Sequence, residues 1–214
     1  QGAQVLQAEE APAAKSTDSL PTRVLGKTGV PVTTMTLGTA PAGHSPKISA
    51  EQIGRIVNVA IDEGINSIDT ATVYGNAQEG VGLGLGKRRD EVFLASKCWA
   101  DTVDRAEQVM AESLRLTKTD YLDLYYFHSL GHRDMDRAME PEGVFTWLLK
   151  QKKAGKFRFL GISIHNHVDR AIRFLETGEV DVLLTVINFA DRYTYNFEEK
   201  ILPQEKAQRW FMWK

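Results

Sequence analysis

Apolar residues along this chain follow two repeats. Short runs rich in β-branched and aromatic residues, at Ile65–Thr70, Val92–Lys97, Tyr121–His128, Phe157–Ile164 and Val180–Phe189, read as strands. Between them, apolar positions recur every three or four residues. Ile53, Ile56, Val57 and Ala60 form one such stripe, Val103, Ala106, Met110 and Leu114 a second, and Val168, Ala171, Ile172 and Leu175 a third. Each stripe predicts a helix with one buried face. Ser49-Ala50-Glu51-Gln52 has the spacing of a capping box, and Gly64 stops the helix it opens. Gly155 and Gly178 each precede a new strand. Ahead of this series, Arg23–Leu25 and Val30–Thr34 flank Gly26-Lys27-Thr28-Gly29 as a short hairpin, and Thr36–Ala40 reads as a short strand. Strands alternating with helices imply right-handed βαβ units and a parallel sheet.

Such a sheet is either doubly wound or closed into a barrel, and the polar residues favour the barrel. Asp69 ends one strand, Tyr74 lies in the loop after it, Lys97 ends the next strand and His128 the one after. Three successive strands thus deliver ionisable groups to one rim, where barrels collect their chemistry. A doubly wound fold usually carries a phosphate-binding glycine fingerprint after its first strand, and Gly38-Thr39-Ala40-Pro41 is not one.

The two ends read differently. Gln1–Pro21, rich in Ala, Gln, Glu and Ser without helical periodicity, is expected to be a disordered lead-in to one domain over residues 22–214. It fits the remnant of a removed export leader or an arbitrary boundary equally well. At the other end, Tyr195–Gln208 is expected to be a sixth helix and Trp210–Lys214 an incipient seventh strand. About six to seven strands leave an eight-stranded barrel open, with an unpaired edge. Trp210, Phe211, Met212 and Trp213 beside that edge lead us to expect a homo-oligomer or a partner covering it.

Composition narrows the function classes. With 26 basic against 28 acidic residues and a net charge of -2, the chain has no field for a polyanion, so neither nucleic acid nor an acidic membrane is expected as partner. No run of 18 or more apolar residues occurs. A lone cysteine, Cys98, gives no disulfide scaffold, which favours a cytoplasmic location, with an exported one if residues 1–21 follow a removed leader.

Four motifs in order carry a resemblance. Asn66-Ser67-Ile68-Asp69-Thr70-Ala71, then Val73-Tyr74-Gly75, then Leu94-Ala95-Ser96-Lys97, then Leu124-Tyr125-Tyr126-Phe127-His128 resemble those of the aldo-keto reductase family, over about Arg23 to Asp191. The resemblance implies a (β/α)8 TIM barrel, here incomplete and preceded by the hairpin. It also implies reduction of an aldehyde or ketone by a nicotinamide cofactor, usually NADPH, with NADH also admitted. Hydride addition leaves negative charge on the carbonyl oxygen, so a proton must follow. The resemblance makes Tyr74 its donor. A phenol is a reluctant acid at neutral pH, and an adjacent ammonium favours its phenolate. Lys97 takes that place, Asp69 holds Lys97 charged and oriented, and His128 hydrogen-bonds the forming oxyanion.

The cofactor residues follow the family less closely. Ser163 stands where the family binds the nicotinamide amide, Ile164 replaces the usual asparagine, and His165 or Asn166 substitutes for it as in some bacterial members. Leu184 stands where the family has glutamine, and Asn188 aligns with a common asparagine beyond it. In the family an eighth strand and its loop hold the pyrophosphate and 2′-phosphate, so weak discrimination between NADPH and NADH is expected.

Other features carry less. Gly80-Val81-Gly82-Leu83-Gly84-Leu85-Gly86-Lys87 lacks the spacing and the Ser or Thr of a phosphate loop and is expected to be a helix packed closely against the sheet. His128/His132 and His165/His167 lack a third ligand set, so no metal is expected. Trp99 either lines a substrate pocket or packs the core. Two classes remain: an NADPH-dependent oxidoreductase acting on a small carbonyl compound, and a catalytically impaired or regulatory barrel fragment.

Overall fold

The computed structural model describes residues 19–165, 167–186 and 212–213. Residues 1–18 of the lead-in, Asn166, Asn188 and the helix expected over Tyr195–Gln208 lie outside the described residues.

An antiparallel hairpin opens the fold, β1 (Thr22–Val24) pairing with β2 (Pro31–Thr33). Its connection is a short 3-10 turn over Gly26–Thr28 closed by Gly29 in the left-handed region. Then β3 (Leu37–Gly38), β4 (Ser67–Asp69), β5 (Phe93–Cys98), β6 (Leu122–Phe127), β7 (Phe157–Ser163), β8 (Val182–Leu184) and β9 (Met212–Trp213) form one seven-stranded sheet in chain order. Every pairing in it is parallel. This is the strand order of a (β/α)8 barrel, seven of its eight strands being present among the described residues. The expected final strand is confirmed in part, as β9 beside β8.

Helices α1 (Ala40–Gly43), α2 (Ala50–Asp62), α3 (Ala77–Leu85), α4 (Val103–Thr117), α5 (Met135–Met139), α6 (Val144–Lys153) and α7 (Val168–Leu175) fill the connections. The capping box at α2 forms as read: Ser49 Oγ accepts from Gln52 N, and the Gln52 side chain accepts from Ser49 N. The first parallel strand is shorter than Thr36–Ala40. Pro41 suits a first helical turn, where its missing N–H costs nothing, so Ala40 starts α1. The glycine-rich run is a helix as expected, α3, but its glycines face the neighbouring helices α2 and α4 rather than the sheet. A Cβ at Gly80 would lie 2.4 Å from Ile53 Cβ, and one at Gly84 2.7 Å from Gly54 O, so α2 and α3 pack at nearly backbone distance.

Strand alternation divides the core into two layers. One phase, with Ile68, Leu94, Tyr125, Phe127, Leu160, Ile162 and Leu183, packs outward against the helices. The other, with Phe93, Ala95, Leu124, Tyr126 and Val182, fills the lumen. Leu25 and Val32 of the hairpin join the lumen cluster, so the hairpin stoppers the end where the strands begin. Asn66 fastens it there: its Oδ1 accepts from Thr33 N at 2.7 Å and its Nδ2 donates to Pro31 O at 3.1 Å. Buried Asp123 locks the same end, accepting from Leu94 N (2.9 Å), Arg89 Nη2 (2.8 Å) and Arg158 Nη1 (2.7 Å). With one mouth sealed by structure, chemistry is left to the carboxyl ends of the strands. Among the described residues, no helix is long and apolar enough to cross a membrane.

Candidate active site

The polar residues of the lumen phase collect at that open rim. Asp69 is the last residue of β4, Lys97 the last but one of β5, His128 the first after β6, and Ser163 the last of β7. Lys97 is almost wholly enclosed, at 1% exposure. Its Nζ pairs with Asp69 Oδ1 and donates to Thr70 O at 3.0 Å. Burial pushes the Asp69 carboxyl upward from its ordinary value, against the pull of Lys97.

Tyr74 comes to this pair from the loop after β4. Lys97 Nζ lies 4.7 Å from the centre of its ring. His128 meets the Tyr74 ring edge-on at 6.2 Å, and Trp99 meets His128 edge-on at 5.2 Å. The four residues read as a catalytic set therefore converge, and Trp99, 40% exposed, stands beside them rather than in the core. Two glycines set the position of Tyr74. A Cβ on Gly43 would lie 2.0 Å from Tyr74 O, and one on Gly75, at φ +55°, would lie 2.2 Å from Gly43 O. Gly75→Ala is thus expected to strain its own backbone and push the Tyr74 loop off α1. We expect a loss of about 1–3 kcal/mol with reduced activity, measured by urea unfolding and steady-state kinetics on one preparation. Unchanged stability and turnover would show that the two loops do not depend on this contact.

His128 is held neutral. Burial is the main cause, with the charges of Lys97, His165 and Arg133 adding to it, and its pKa falls from 6.5 to about 3. A neutral imidazole carries one N–H, enough to donate to a carbonyl oxygen. Because the folded value is depressed, the unfolded chain binds the proton more readily, and His128 costs stability as pH falls from about 6.5 toward 3. His128→Asn is expected to flatten that limb of the stability curve, measured by denaturant unfolding against pH. An equally steep acid limb in the variant would contradict the buried neutral histidine.

The cofactor candidates separate. Ser163 is buried, and its Oγ accepts from Ser129 N at 3.0 Å, with no acceptor for its hydroxyl hydrogen among the described residues. His165 is exposed two residues past the end of β7, where a charge on it is felt at His128. Two site residues escaped the sequence reading. His44, which caps α1, also meets the Tyr74 ring edge-on, at 5.6 Å. Arg133 lies under Trp99, 4.6 Å from its ring. His44 follows the first parallel strand, the rim already singled out, and that placement was its only signal; Arg133 had none.

Comparison with known proteins agrees with this geometry. The glyoxal reductase of Bacillus subtilis (strain 168) is 35% identical over 146 residues, covering 64% of this chain and 49% of that protein. The chain spans about half the length of the curated relatives it matches. A solved structure from Pseudomonas aeruginosa bearing the aldo-keto reductase name superposes with a TM-score of 0.79 at 27% identity, over 94% of this chain and 80% of that one. An aldo-keto reductase from Klebsiella pneumoniae in complex with NADPH gives a TM-score of 0.68 at 26% identity, over 88% of this chain and 65% of that one. Residues 34–204 match the model of the Aldo/keto reductase family, a span that takes in all four motifs and the strands that carry them. The chain belongs to the aldo/keto reductase family.

Proposed function

We propose that this chain reduces an aldehyde or ketone to an alcohol using a nicotinamide cofactor, NADPH with NADH also admitted, and with Tyr74 as proton donor. The observation that carries the reading is a phenol ring 4.7 Å from a buried ammonium and edge-on to a neutral imidazole, all at the open rim of the barrel.

When bound, the dihydronicotinamide supplies the hydride to the carbonyl carbon. Everything else falls to the protein. His128 donates its N–H to the carbonyl oxygen and holds it within reach of the Tyr74 hydroxyl. As charge gathers on that oxygen, Tyr74 passes its proton across, and Lys97 stabilises the phenolate left behind. Asp69 keeps Lys97 aimed, which costs little extra because the pair is already formed. Trp99 supplies an apolar wall that excludes water from the carbonyl carbon. Ser163 fits the amide end of the nicotinamide, since its hydroxyl is buried on the lumen side with a hydrogen to donate. His165, Asn166 and Asn188 complete the cofactor set proposed from the sequence. The relative known as a glyoxal reductase and the NADPH complex of a Klebsiella neighbour support a carbonyl reductase of this type.

Titrating NADPH and NADH against tryptophan fluorescence, then following cofactor oxidation with glyoxal and simple aldehydes, tests the proposal. Saturable NADPH binding with carbonyl-dependent oxidation supports it. Binding without oxidation of cofactor by any carbonyl, or no binding at all, would defeat it and favour the catalytically impaired or regulatory fragment.

A further inference from the structure

Arg133 is a buried cation, 4% exposed, with little in its surroundings to offset the burial. Its one carboxylate partner among the described residues, Asp101, is 67% exposed, so the pair is heavily screened. Nη2 is buried and has no hydrogen-bond partner among the described residues. Enclosing a guanidinium on such terms is costly, and a methionine or leucine would fill the space under Trp99 at less expense. What an apolar residue lacks is the planar charged face that stacks on an indole, and a fork that reaches two further groups.

Both properties are in use. The guanidinium lies 4.6 Å from the Trp99 ring, Nη1 pairs with Asp101, and Nε donates a long hydrogen bond, 3.4 Å, to the His128 carbonyl. The segment is held in turn from α7, where Arg170 Nη1 donates to the carbonyls of Arg133 (2.7 Å) and Leu130 (3.3 Å). Trp99 closes the circuit by meeting the His128 ring edge-on at 5.2 Å.

We propose that Arg133 is a positioning residue, clamping Trp99 and His128 to one another through a single guanidinium so that wall and hydrogen-bond donor face the substrate together. Its part in carbonyl reduction rests on the function proposed above; the clamp itself does not. The charges facing His128 are Lys97 from β5, His165 beyond β7 and Arg133, the last being the smallest contributor. Loss of Arg133 is therefore felt chiefly as movement rather than as titration.

The test uses Arg133→Met and Arg133→Lys in the whole chain, labelled with 5-fluorotryptophan and with 15N in the histidine rings. Trp99→Phe and His128→Asn serve only to assign the two resonances. Because Asp101 is solvated, removing Arg133 orphans no buried carboxylate, and Arg133→Met is expected to remain folded. Its Trp99 resonance should shift and broaden, with the His128 ring signal moving alongside. Arg133→Lys, which keeps charge but not the planar face, should show the same changes at smaller size. Kinetically, KM for the carbonyl should rise about tenfold while the NADPH dissociation constant holds. Wild-type resonances in either folded variant would overturn the clamp, and if Arg133→Met fails to fold, Arg133→Lys decides. A chain that reduces no carbonyl would defeat the proposed function and still leave the two resonances to judge the clamp.

Discussion

Tyr74→Phe is expected to cost about 10²–10⁴ in kcat and to leave NADPH affinity nearly unchanged. The substitution removes one hydroxyl. The ring that Lys97 approaches at 4.7 Å and that His44 and His128 meet edge-on remains in place, so neither fold nor pocket shape should change. Only proton donation is lost, an interaction made in the transition state, and kcat and kcat/KM should therefore fall together. Steady-state kinetics beside a fluorescence titration of NADPH would measure both. Turnover at the wild-type rate would remove Tyr74 from the role of acid.

Lys97→Met should damage activity and stability at once. Lys97 is enclosed, and removing it leaves Asp69 in the lumen without its counter-charge, a loss of about 3–5 kcal/mol if the carboxylate stays ionised. The carboxyl can escape by protonation. Burial already raises its folded pKa above the unfolded value, and without the pull of Lys97 it rises further. A group with a raised folded pKa contributes stability at low pH that is lost as pH climbs through the folded value. The variant should thus lie close to wild type in acid and fall away as pH rises toward neutrality. A second substitution, Asp69→Asn, should restore most of the stability by removing both charges, while activity stays low. Urea unfolding across pH is the measurement. A deficit that does not vary with pH would show that Asp69 is not the buried charge described here.

Much of this was legible in the sequence because the strands and the site obey the same period. In a parallel barrel every second residue faces the lumen, so Asp69, Lys97, His128 and Ser163 at strand ends are brought to one rim by alternation alone. The capping box at Ser49 was readable since both partners lie within four residues. Boundaries were less so. Ala40 reads as a strand residue by its neighbours, yet Pro41 turns the chain into a helix. Arg133 was invisible for a different reason. An arginine after a glycine and a histidine looks like a solvated loop charge, and only the three-dimensional approach of Trp99 from the β5 end reveals that it is buried. His44 likewise acquires meaning only once two glycines, at 43 and 75, let the loops touch.

The most direct test of the account follows the hydride. The chain would be incubated with NADPH carrying deuterium on the transferable C4 position and with a small carbonyl such as glyoxal, and the alcohol analysed by mass spectrometry. One deuterium is expected on the carbinol carbon of the product, at a rate that collapses in Tyr74→Phe. An alcohol without deuterium, or intact cofactor after saturating exposure to carbonyl substrates, would contradict it.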